Sequence, residues 1–173
     1  MSDNNLSAFY VQIYNLAYIQ RYNTMPRIKN ESVAEHSFFV ASIVVKLYET
    51  YDFNLGKALL MAVTHDWAES WLGDIVNVVK NGYPYVGVAI QEAEYYIMGE
   101  NFYGIVYENW HEHNELISVE AKIVKYADVL QVLQYANHEV SLGNTCFKRV
   151  IDDVQPVLNN LKTSLEKFVK TGW

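Results

Sequence analysis

The chain has 173 residues, 51% of apolar type and 19% charged, and carries a net charge of −7. These values exclude a disordered or highly charged chain, and the acidic balance, which advertises no basic face, argues against nucleic-acid binding as the main role. The single cysteine, Cys146, excludes a disulfide framework and an all-thiolate zinc site.

Apolar residues recur at helical spacing along the whole chain, and clear alternation is missing, so the expected fold class is all-α. A first helix is predicted over about Asn4–Ile19. The polar stretch RYNTMPRIKN, with Pro26, reads as a loop. A second helix opens at Ser32, where Ser32 and Glu35 have capping-box spacing, and its stripe is Val33, Val40, Val44, Leu47 and Tyr51. Asn54 is placed to cap a third helix carrying Leu55, Leu59 and Ala62. A helical turn around Trp67–Trp71 ends at Gly73, and Gly82–Gly87 reads as a turn. Helices are then expected near Val88–Asn101, Ile105–His111 and Ser118–Ser141, the last stopped by Leu142-Gly143-Asn144. A final helix runs over about Cys146–Val169. No repeat or linker interrupts this series, so one domain over 1–173 is expected.

Polar residues on apolar faces carry the functional signal. His36 lies four residues before Val40, on the inward stripe of its helix. Asp128 belongs to the series Ile117, Ala121, Val124, Asp128, Gln131, Tyr135, whose steps of three and four put a carboxylate on the core side. A buried carboxylate needs a partner, either a metal ion or a salt bridge. His65 and Asp66 end the third helix as an adjacent pair, with Glu69 and Asp74 shortly after. Two imidazoles and two carboxylates from three helices make a mixed N/O set suited to a divalent first-row metal. The bland alternative for each residue alone is a hydrogen-bonded core histidine or a paired aspartate.

With these residues in place, the chain resembles the HD-domain metal phosphohydrolases. Their H…HD…D signature falls on His36, His65-Asp66 and Asp128. The wording around it is closer still: Arg21, Arg27, Asn30, Glu35, His36 and Ser37 in the first block, HDWAESWLGD from His65 to Asp74, and Lys125-Tyr126-Ala127-Asp128. This is similar to the branch that contains bacterial 5′-deoxynucleotidases of the YfbR type and phage dATP triphosphohydrolases of the DatZ type. The resemblance covers about residues 21–143.

The resemblance implies a single helical HD domain that hydrolyses deoxynucleotides at the 5′-phosphate. Deoxynucleoside and phosphate are the expected products of a monophosphate; the alternatives are a dNTP triphosphohydrolase and a catalytically idle nucleotide-sensing module. It implies one divalent metal (Mn, Co, Zn, Fe or Mg) on His36, His65, Asp66 and Asp128. Glu69 and Asp74 match the acids that handle the attacking water, and Arg21 matches a phosphate-binding arginine. Lys80 and Lys125 are further phosphate candidates. Tyr22 stands where relatives commonly carry Trp against the sugar, and GDIVNVVK replaces their Pro-rich stretch. The GYP motif of cyclic dinucleotide phosphodiesterases is missing. Glu69 is followed by Ser70 rather than the acid usual in alarmone hydrolases.

Further expectations are a cytoplasmic homo-oligomer with no nucleic-acid or membrane partner. The N-terminus, MSDNNLSAFY, lacks the basic and apolar regions of a secretory signal. His111 and His113 read as solvated surface, His138 as a residue favoured by its helix C-terminus, and Cys146 as packed and inert. Trp67 and Trp71 read as core.

Overall fold

The computed structural model describes residues 3–171, so Met1 and Ser2 of the N-terminal reading lie outside the described residues. Among these residues there are helices, 3₁₀ turns and two isolated bridges, Gln20↔Ser32 and Tyr51↔Val169, with no strand. The all-α expectation holds. The α-helices are α1 (Asp3–Tyr14), α2 (Val33–Leu47), α3 (Leu55–Thr64), α4 (Glu69–Leu72), α5 (Asn77–Gly82), α6 (Pro84–Asn101), α7 (Ile105–Asn114), α8 (Val119–Ser141) and α9 (Lys148–Leu165).

Three of the helix starts are set by side chains that satisfy free backbone N–H groups. The Ser32 hydroxyl accepts from the Glu35 amide at 3.1 Å, while the Glu35 carboxylate accepts from the Ser32 amide at 2.8 Å. Asn54 caps α3 at the Lys57 amide, and Ser118 caps α8 at the Ala121 amide.

The main core lies where α2, α3 and α8 meet. Val40 and Val44 pack there with Ala58, Met61, Ala62, Ala121, Val124 and Ala127, all fully buried. The alanines let the three helices approach closely, which brings the polar residues on the same faces into contact. Truncating Met61 at this junction would cost about 2–5 kcal/mol. Val129 and Leu133 on the far side of α8 pack with Leu158 of α9.

The polar segment before α2 is held onto α8 by a buried carboxylate. Glu139, with no exposed surface, accepts from the backbone amides of Ile28 (2.9 Å) and Lys29 (2.7 Å) and from Asn144 Nδ2 (2.7 Å). Tyr135 donates its hydroxyl to the Lys29 carbonyl. The Gln20↔Ser32 bridge closes the base of this loop.

The structure departs from the sequence expectations at several boundaries. The first helix stops at Tyr14 and continues as a 3₁₀ turn, Asn15–Ala17. Residues 77–82 form α5, and Gly82–Gly87 is not a free turn, because Pro84 opens α6 at a position where its missing N–H costs nothing. Gly87 sits inside α6, where a Cβ would lie 2.5 Å from the Lys80 carbonyl oxygen; only glycine lets α5 and α6 pack this closely. Tyr51 is buried but lies beyond the end of α2, and Ile117 is exposed ahead of α8. The last helical region begins with a 3₁₀ turn, Thr145–Phe147, and Cys146 within it is exposed rather than packed.

Candidate metal centre and active site

His36 stands one turn into α2 and is 1% exposed. His65 and Asp66 follow the last residue of α3, where the chain leaves the helix toward α4. Asp128 lies in the middle of α8. The close approach of these three helices brings His36, His65 and Asp66 together and sets Asp128 beside His36. His36, His65 and Asp66 each place one ligand-type atom within 4.8 Å of the others. His65 Nε2 is 3.1 Å from Asp66 Oδ2, His36 Nε2 is 3.6 Å from the same oxygen, and Asp128 Oδ1 is 3.3 Å from His36 Nε2. The two Nε2 atoms are 3.3 Å apart.

Hydrogen bonds on the other side of each ring define which nitrogen faces the cluster. His65 Nδ1 is 2.9 Å from the Ala62 carbonyl oxygen, an acceptor only, so Nδ1 donates. His36 Nδ1 is 2.7 Å from Gln131 Oε1. The Gln131 amide nitrogen donates in turn to Glu31 Oε1 at 2.5 Å, which turns the amide oxygen toward His36. Both imidazoles therefore aim an Nε2 lone pair at the cluster, alongside two carboxylate oxygens. Three acceptors, from His36, His65 and Asp66, within 4.8 Å of one another, with Asp128 Oδ1 against His36, repel each other unless a cation or a proton sits between them. The donor set, two imidazole nitrogens and two carboxylate oxygens, is chemically suited to a divalent first-row ion.

Burial and the Arg21 charge hold His36 below the ordinary imidazole pKa. Burial opposes a charge on His65, but Asp66 outweighs it and lifts the pKa. Burial would raise both carboxylates, yet His65 and His36 keep Asp66 low, and Lys125 with His36 keeps Asp128 well below its usual range. Lys125 Nζ holds Asp128 Oδ2 at 2.8 Å, leaving Oδ1 for the cluster.

Arg21 borders this centre. Its Nε lies 3.9 Å from Glu31 Oε2, and its Nη1 is buried without a hydrogen-bond partner. Burial opposes the guanidinium charge, but Tyr22, Asp66, Asp128 and Glu31 outweigh it and raise its pKa. Tyr22 follows with a left-handed backbone, φ 54°, which is strained for a bulky residue. Its ring stacks on Tyr135 with centroids 5.0 Å apart and meets Phe147 edge-on, and its hydroxyl is buried and unpaired. That turn also secures Asp74: the Tyr22 amide bonds its carboxylate, and Asn23 Nδ2 donates to its carbonyl at 2.9 Å.

Glu69 and Asp74 are both pushed upward in pKa, first by burial; Asp66 and Asp74 add to the effect on Glu69, and Asp66 adds to that on Asp74. Lys80 is engaged by Glu94 at 3.1 Å, so it offers this region a field rather than a free donor.

Sequence reasoning missed several neighbours. His113 is not solvated surface: α7 extends to Asn114, and His113 is buried with its ring 5.9 Å from that of His65. Burial, with the His65 and Lys125 charges, drives its pKa down to about 3. Trp110 on the same helix donates its Nε1 to the His65 carbonyl at 3.2 Å. Glu31 and Gln131 stand behind His36. Gln131 carried a signal, as a polar residue one turn after Asp128 on the inward stripe; Glu31, in an irregular segment, carried none.

Residues 8–171 match the family described as 5′-deoxynucleotidase YfbR-like. A 5′-deoxynucleotidase of Xenopus laevis is 31% identical over 122 residues, covering 66% of this chain and 60% of that protein. A 5′-deoxynucleotidase of Pasteurella multocida is 27% identical over 179 residues, covering 96% and 86%. Among solved structures, an HD-domain phosphohydrolase from Listeria innocua superposes with a TM-score of 0.74 at 20% identity, over 91% of this chain and 82% of that one, a likeness of fold. The match runs from α1 to the end of the described residues and contains the whole His/Asp cluster, and on that extent the chain belongs to the YfbR-like 5′-deoxynucleotidase family of metal-dependent HD-domain phosphohydrolases.

Proposed function

We propose that this chain hydrolyses the 5′-phosphate ester of deoxynucleoside monophosphates, releasing deoxynucleoside and orthophosphate, with His36, His65, Asp66 and Asp128 as metal ligands. The observation that carries this reading is two inward Nε2 lone pairs and the Asp66 carboxylate within 4.8 Å of one another, with Asp128 against His36 and an unpartnered buried Arg21 nitrogen beside them. When bound, a divalent cation supplies Lewis-acid polarisation of the phosphoryl group and an acidified water.

Arg21 donates to the non-bridging phosphate oxygens, where charge grows as water attacks phosphorus and the P–O5′ bond breaks. Glu69 takes the water proton; its raised pKa makes its carboxylate a stronger base than an exposed glutamate. Asp74, fastened to the Tyr22–Asn23 turn, orients that water. Lys125 and Lys80, each paired to a carboxylate, add positive potential toward the phosphate. The Tyr22 ring, fixed by Tyr135 and Phe147, is the wall beside the sugar.

The test is incubation with Mn²⁺ or Co²⁺ and a panel of deoxynucleoside monophosphates, triphosphates and ribonucleotides, with products identified by chromatography. Deoxynucleoside plus orthophosphate from monophosphates is expected. Triphosphate as the dominant product, or no turnover, overturns the assignment.

This reading also takes the chain as one domain over 1–173 that acts in the cytoplasm as a homo-oligomer. Among the described residues no helix is long and apolar enough to cross a membrane. Tyr10, Tyr14 and Tyr18 form an exposed aromatic ladder along one edge, which supports self-association. A mass near 20 kDa in solution would contradict the oligomer.

A further inference from the structure

We infer that Glu31 and Gln131 form a positioning relay that sets the His36 tautomer and so presents its Nε2 lone pair to the metal. The relay rests on the ligand assignment proposed above for His36. It does not follow from the ligands themselves, because imidazole can protonate either nitrogen and a glutamine amide can face either way.

The direction of the whole chain is set at its far end. Glu31 is 5% exposed, and its carboxylate offers only acceptors when ionised. With Glu31 ionised beside Arg21, the Gln131 nitrogen is the atom that faces it, at 2.5 Å. The Gln131 oxygen is then left for His36 Nδ1, at 2.7 Å, and an oxygen there requires a proton on Nδ1. His65 obtains the same tautomer from a backbone carbonyl, which cannot turn round. His36 has no such fixed partner and depends on two side chains from different segments, one before α2 and one on α8. The second Glu31 oxygen faces Arg21 Nε at 3.9 Å, so the same carboxylate borders the phosphate-binding arginine. Residues that fix a ligand imidazole from behind typically change metal affinity by about 10–100-fold when lost.

The experiment uses the full chain, with Mn²⁺ alone as the probe. Three proteins are compared with wild type: Gln131→Met, Glu31→Gln, and the exchange Glu31→Gln/Gln131→Glu. Mn²⁺ affinity is read from the EPR signal of the free ion, and ring tautomers from long-range ¹H–¹⁵N spectra of the metal-free protein. His65, whose Nδ1 partner is untouched, reports whether the centre is still folded. Gln131→Met removes the acceptor at Nδ1. Glu31→Gln lets the amide at 131 turn over and present its nitrogen to His36. Both should show His36 losing the Nδ1–H form, with Mn²⁺ bound about 10–100-fold more weakly. The exchange restores an acceptor at position 131 and a donor at position 31, and should recover the tautomer and bring Mn²⁺ affinity to within about threefold of wild type or tighter. Unchanged tautomer and affinity in the single variants overturn the relay while leaving the ligand assignment intact. An exchange variant no better than Glu31→Gln, with His65 unperturbed, also overturns it. Failure of the wild-type chain to bind Mn²⁺ would remove the ligand assignment, and the relay with it.

Discussion

His36 Nε2 and His65 Nε2 lie 3.3 Å apart, and each ring directs its Nδ1–H away, to Gln131 and to the Ala62 carbonyl. Two lone pairs at that separation, with Asp66 and Asp128 alongside, form an arrangement that only a positive charge stabilises. The helix packing enforces it, because Ala58, Ala62, Ala121 and Ala127 allow α2, α3 and α8 to close over the cluster.

Glu69 should be separable from the metal centre. Glu69→Gln is expected to retain Mn²⁺ binding and the thermal unfolding midpoint while lowering kcat about 10²–10⁴-fold, the usual contribution of a general base. Wild-type kcat at saturating substrate would make Glu69 structural.

Arg21 should act through its fork and not its charge alone. Arg21→Lys keeps a cation beside Glu31 but loses the paired N–H geometry. Charge-assisted hydrogen bonds contribute about 1.5–3 kcal/mol, so kcat/KM should fall about 10–100-fold. Inhibition by inorganic phosphate should weaken in parallel. Phosphate inhibition equal to wild type would place the phosphate elsewhere.

The folding frame was legible in the sequence to the extent that local chemistry decides it. Ser32, Asn54 and Ser118 cap their helices as side chains of those types do, and the stripe containing Val40 and Val44 is buried as its spacing requires. Pro84 and Gly87 misled because both favour turns, whereas here one opens a helix and the other admits a neighbouring carbonyl. The His/Asp cluster was visible because His36 and Asp128 interrupt apolar faces. His113 was not, since its burial depends on α7 packing against α3, a contact that no spacing within YENWHEHNE announces. Cys146 was misjudged for the converse reason: the turn at Thr145–Phe147 buries Phe147 and leaves its neighbour outside.

Tyr22 should be more valuable to specificity than to stability. Its hydroxyl is buried without a partner, a condition that costs about 1–3 kcal/mol. Tyr22→Phe keeps the stack on Tyr135 and Phe147 and should raise the unfolding midpoint by roughly 2–12 °C, while changing the ratio of kcat/KM for deoxyribose over ribose substrates. A lower midpoint with an unchanged ratio would show that the hydroxyl is used in folding and not in sugar discrimination.

Glu139 should make the loop before α2 sensitive to acid. Burial would raise its pKa, but the Ile28 and Lys29 amides and Asn144 outweigh burial and hold it below the ordinary glutamate value. A depressed folded pKa stabilises the protein above the unfolded pKa, and the contribution is lost as pH falls through the folded value. Glu139→Gln should therefore be destabilised at pH 7 by roughly 1–3 kcal/mol in urea unfolding, with the gap to wild type closing in the acid range below the ordinary glutamate pKa. A gap independent of pH would assign the loss to packing.

The most direct test of the central claim is a metal titration of chelator-stripped protein, following orthophosphate released from a deoxynucleoside monophosphate. The stripped chain should be inactive, and activity should rise linearly with added Mn²⁺ or Co²⁺ to a plateau at one ion per chain. Asp128→Ala should show no such plateau at stoichiometric metal. Full activity after chelation, or an unaltered one-ion plateau in Asp128→Ala, would contradict a catalytic centre built on His36, His65, Asp66 and Asp128.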